Sequence, residues 1–86
     1  MEENKPEINL ESALPACQSI QLAAGEILEE ITYHGEMLNS PAYRELVERM
    51  YMAARQAALV SRLMGDERTS KFTDGICEKL IEKAGL

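Results

Sequence analysis

Apolar residues recur at steps of three and four through most of the chain, so the pattern is helical rather than alternating. Between Pro15 and Leu38 one stripe carries Cys17, Ile20, Ala24, Ile27, Ile31 and Leu38, and Leu14, Leu28 and Gly35 widen it. Pro15 suits the first turn of a helix, where its missing N–H costs nothing. The spacing predicts a first helix over 15–38. Gly25 and Gly35 oppose it by about 1 kcal/mol each relative to Ala, and Gly35 marks a candidate kink or end.

Asn39 and Ser40 form a break, with Ser40 as a good N-cap and Pro41 fitting the first helical position. A second helix is predicted over 41–64, closed by Gly65. Its apolar residues exceed one stripe. Leu46, Met50, Ala53 and Val60 form one set, and Tyr43, Val47, Ala54 and Ser61 another. Such a helix needs more than one neighbour. A third helix is predicted over 71–84, capped by Thr69 or Ser70 and ended by Gly85. It carries Phe72, Ile76, Cys77, Leu80, Ile81 and Ala84. Residues 1–7 are polar, contain Pro6 and read as a disordered N-terminus, which leaves 8–86 as a single three-helix domain.

The expected fold is all-α: a long antiparallel helical hairpin plus a shorter third helix, dimerising into a helical bundle. The two-residue break forces the hairpin. In that register Ala23, Ala24 and Gly25 face Ala53, Ala54 and Ala57, so the helices approach closely and leave little room for a substrate cavity. The same register pairs Glu36 with Arg44, Glu30 with Arg49 and Glu26 with Arg55. Each exposed pair is worth only about 0–1 kcal/mol and serves to fix pairing. A third helix of about 14 residues spans roughly 21 Å and covers only the open end of the hairpin. The turn end is then left bare, and Ile31, Met37, Leu38, Tyr43, Leu46, Val47 and Met50 are the expected protein interface. A homodimer is the simplest way to cover it, and another protein is the alternative.

Composition narrows the function. The chain has 86 residues, 45% apolar and 28% charged, with a net charge of −6. That argues against nucleic acid as a partner. No apolar run is long enough to span a membrane, and the acidic start, MEENKPE, is not expected to be a secretory signal. Cys17 and Cys77 read as buried thiols in a reducing cytoplasm.

Little in the sequence points to chemistry. Glu26, Glu30 and His34 stand at successive fourth positions, a candidate metal stripe, but one histidine does not make the Glu-x-x-His pairs of di-iron bundles. Ser70 and Asp74 resemble the short Ser-x-x-x-Asp element of small helical-hairpin phosphatases that act on response regulators; two matched residues carry no activity over. The glycines are isolated, so no phosphate-binding loop is present. Arg44, Arg55 and Arg62 lie along one side of the second helix, interrupted by Glu45 and Glu48. The expected function is therefore non-enzymatic, without cofactor or metal: an adaptor, regulator or inhibitor acting through protein contacts. The alternatives are an acidic nucleic-acid mimic or nucleic-acid-binding regulator, and a small helical enzyme or metal-binding bundle.

Overall fold

The computed structural model describes residues 10–86. The chain is all-α: α1 spans Leu10–Tyr33, a short 3₁₀ turn Gly35–Asn39, α2 Pro41–Leu63 and α3 Glu67–Ala84, with no strand among the described residues. The expectation of a disordered stretch over 1–7 lies outside them.

Local chemistry sets the helix ends. The Ser40 hydroxyl accepts the Tyr43 N–H at 3.4 Å, with Pro41 in the first turn. At the other end of α2, Gly65 takes the left-handed conformation at φ 86°. Two ends differ from the sequence reading. α1 stops at Tyr33 rather than 38, because Ile31-Thr32-Tyr33-His34-Gly35 is a run of weak helix formers. It also starts five residues before Pro15, which therefore sits inside the helix and leaves the Glu11 carbonyl without its intrahelical donor. α3 starts at Glu67 rather than 71. Asp66 takes the cap: its carboxylate accepts the Thr69 N–H at 3.1 Å and the Thr69 hydroxyl at 2.7 Å. The Thr69 hydroxyl is thereby a donor to the cap, not the cap itself.

The core combines alanines with branched aliphatic side chains. Ala24, Ile31, Val47, Ala54, Ile76 and Leu80 form one buried cluster that all three helices share. Cys17 and Cys77 are both free and buried. Tyr43, near the start of α2, donates its hydroxyl to Glu30 near the end of α1, at 3.3 Å. The Arg44 guanidinium donates to the Ala84 carbonyl at 3.1 Å. That contact puts the end of α3 beside the start of α2, so α3 returns along the bundle and runs in the same direction as α1.

Candidate protein-contact surface

The start of α2 is not bare. With 18 residues, α3 spans about 27 Å and reaches the turn end, where Leu80 and Ala84 join the cluster that holds Ile31 and Val47. Ile31 is 4% exposed and Val47 0%, so neither has surface to offer a partner. Leu38, Tyr43 and Met50 are half-buried against the same cluster, and Met37 is half-buried as well. Of the seven residues expected at an interface, Leu46 alone is exposed. The third helix, at 18 residues, is longer than expected and covers the turn end.

The expected ion pairs also give way to other contacts. Arg44 is used on the Ala84 carbonyl, Arg49 bonds Glu45 one turn back at 2.9 Å, and Arg55 lies over the Tyr51 ring at 5.9 Å. Glu30 receives Tyr43 instead of Arg49. Partial burial and the Glu30 carboxylate raise the Tyr43 phenol above its ordinary pKa.

Exposed apolar side chains stand in two places: along α2 at Leu46, Met52, Leu59 and Leu63, and between α1 and α3. Gly25 and Leu28 of α1, with Phe72, Gly75 and Ile76 of α3, line an open and almost wholly apolar groove of about 410 Å³. Phe72 is 61% exposed on its edge. One turn before Gly25, on the same helix face, Leu22 is 67% exposed. Both glycines are helical and neither has a positive φ. A Cβ at Gly75 would meet nothing within 4 Å, and one at Gly25 would make ordinary contact with Ile76 Cδ1 at 3.7 Å. Neither glycine is required by the chain's own packing, yet each weakens its helix.

The groove continues past Leu28 towards Thr32 and Tyr33. Its two edges differ in charge. Lys71, Lys79 and Lys83 stand along the α3 side. Glu29 stands on the α1 side, with Glu26 and Glu30 beside it in the next shallow cleft. α1 has no basic residue along its 24 positions.

Other candidate chemistry is not assembled. His34 lies past the end of α1 at φ −135°, with its Nδ1 3.7 Å from Glu36; it borders one shallow cleft with Glu26 and Glu30 without converging on them. No group of three metal-ligating side chains converges among the described residues. Ser70 is only 3% exposed; it borders a small surface cleft with Asp74, Arg62, Glu67 and Lys71, which holds no histidine to activate its hydroxyl. Burial, then the Asp74 carboxylate, raises the Cys77 thiol above its ordinary value, with Arg55 opposing, so it is a poor nucleophile at neutral pH. No helix among the described residues is long and apolar enough to cross a membrane. No protein-family model matches the chain, and neither a curated protein nor a solved structure matches it.

Proposed function

We propose that the chain acts by protein–protein contact, as a small non-enzymatic adaptor, regulator or inhibitor, through the face between α1 and α3. One observation carries this reading: the only phenylalanine of the chain stands exposed on an apolar groove, while the buried core is made of alanines with Ile31, Val47, Ile76 and Leu80. Burying a side chain of that size is worth about 1.5–3 kcal/mol, a large amount for a chain with so small a core. A large apolar side chain kept at the surface beside Leu22 fits an anchor for another protein surface. The two free, buried thiols suit a reducing compartment, and we place the protein in the cytoplasm on that basis.

A photo-crosslinking amino acid at position 72, expressed in the native host, tests the reading. The expected result is a discrete protein adduct that is absent when the same probe replaces Glu48 on α2. No adduct at 72, or the same adducts at both positions, overturns it. Adducts to nucleic acid instead of protein would transfer the chain to the nucleic-acid-binding class.

A further inference from the structure

We propose that the occupant of the α1/α3 groove is a second copy of this chain, with α1 of each copy lying over α3 of the other. This rests on the reading that the groove is a protein-contact face, and it adds the partner and the docking geometry.

Charge selects both. The α3 charges that line the groove are Lys71, Lys79 and Lys83, with the exposed Glu78 and Glu82 farther from it on the same helix, and the α1 edge carries Glu29 flanked by Glu26 and Glu30. A face whose two edges have opposite sign is complementary to itself under one arrangement. A face-to-face pair has its two-fold axis in the plane of contact. If the axis crossed the groove, α1 would lie on α1 and α3 on α3, acid on acid and base on base. If it runs along the groove, α1 lies on α3 and every edge meets its opposite. The second arrangement is the favourable one.

The level of each residue along the groove then fixes the contacts. α1 and α3 run the same way, with Ile76 beside Gly25. Phe72 lies one turn before Ile76, and Leu22 one turn before Gly25, so they stand level. A two-fold axis along the groove preserves level. Phe72 of one copy therefore comes down over Leu22 and Gly25 of the other, where the missing Cβ leaves room for a ring. Lys79 shares a stretch of the groove with Glu29 in one copy, so Lys79 of each copy meets Glu29 of the other. The net charge of −6 per copy opposes association over long range. Salt screens that repulsion beyond about 8 Å at physiological ionic strength, while the edge pairs lie well inside that distance.

The test uses the full chain in analytical ultracentrifugation, with wild type, Glu29→Lys, Lys79→Glu and Phe72→Ala. Glu29, Phe72 and Lys79 are exposed, so helix content by circular dichroism should not change. Wild type is expected to dimerise. Each charge reversal alone should weaken the dimer about tenfold, since it creates two like-charge contacts. An equimolar mixture of Glu29→Lys with Lys79→Glu should recover the wild-type affinity, because every contact in the mixed pair is again opposite in sign. Phe72→Ala should weaken the dimer about tenfold or more. A monomeric wild type, a mixture no tighter than its components, or an unchanged Phe72→Ala dimer overturns the proposal. A monomer that still gives a host-protein adduct at position 72 removes the second copy and leaves the contact face standing. A dimer indifferent to all these changes, with no adduct at 72, removes both.

Discussion

Replacing Gly75 with alanine tests whether the floor of the α1/α3 groove is empty in the free chain. Gly75 lies in the interior of α3, not at a cap, and its φ is not positive. Alanine in a helix interior is favoured over glycine by about 0.8–1 kcal/mol. Part of that gain comes from the smaller conformational freedom of the unfolded chain. The new methyl would meet nothing within 4 Å, so no clash offsets it. The net expectation is a stabilisation of about 0.8–1 kcal/mol. For a chain of this length that is a rise in Tm of several degrees, at about 4–8 °C per kcal/mol. The assay is thermal and urea unfolding followed by circular dichroism, at a protein concentration low enough that the monomer dominates. Gly85→Ala is the control. It too has open space around its Cβ, but it caps α3 at φ 70°, so it should lose about 1 kcal/mol. If Gly75→Ala is neutral or destabilising while Gly85→Ala behaves as expected, something fills the groove floor in the free chain, and the face is not open for docking. At higher concentration the gain from Gly75→Ala should shrink, because the added methyl obstructs the partner and mass action then favours the wild type.

Three further substitutions probe the rest of the fold. The Ser61 hydroxyl is fully buried without a hydrogen-bond partner, so Ser61→Ala should stabilise by about 1 kcal/mol in urea unfolding, and a loss of that size would show that the hydroxyl is satisfied. Arg44→Ala removes a charged donor from the last carbonyls of α3 and should cost about 1–2 kcal/mol, with hydrogen exchange accelerating first near Ala84; unchanged exchange there would show that α3 does not depend on this contact. Hydrogen bonds from the Thr69 hydroxyl and backbone N–H hold the Asp66 carboxyl below its ordinary pKa of 3.8, so its contribution is complete above about that pH and is lost as pH falls through the lowered value. Asp66→Asn keeps an acceptor without the titration, and urea midpoints at ~pH 5 and ~pH 2.5 should then differ less than in wild type.

The all-α class was legible because the apolar period is 3.6 throughout, and a period needs no knowledge of distant contacts. The caps at Ser40, Gly65 and Gly85 were legible for a related reason: each is settled within a few residues. The ends that were misread are those where two nearby signals compete. Asp66 and Thr69 both cap well, and the carboxylate wins by taking the threonine hydroxyl as its own donor. Gly35 signalled a stop, but the chain leaves the helix earlier, at His34, after a β-branched and aromatic run. Each displacement is only four or five residues. Together they lengthen α3 to 18 residues and shift the 24 residues of α1 five positions towards the N-terminus, and the longer α3 reaches the turn end, where Ile31 and Val47 are buried. The groove itself left a signal in the sequence. Gly25 and Gly75 each occupy a helix interior at a stability cost, and Phe72 stands one turn before Gly75 and Ile76.

The shift in register also changes what the charges are for. With acids on the first helix and arginines on the second, the expected register satisfied both inside one chain. In the structure the arginines have other employment: Arg44 on the end of α3, Arg49 on Glu45, Arg55 on the Tyr51 ring. The acids of α1 are left facing solvent beside a groove whose far edge is lysine. Within one copy those two edges are separated by the groove and by the exposed apolar side chains along it. In the proposed dimer a second copy, turned about the groove, would bring each edge against its opposite and cover Phe72 and Leu22 in the same step. In the proposed dimer the sign pattern that suggested pairing between the first and second helices is satisfied between α1 of one copy and α3 of the next, an arrangement that would use the charges and the apolar surface together.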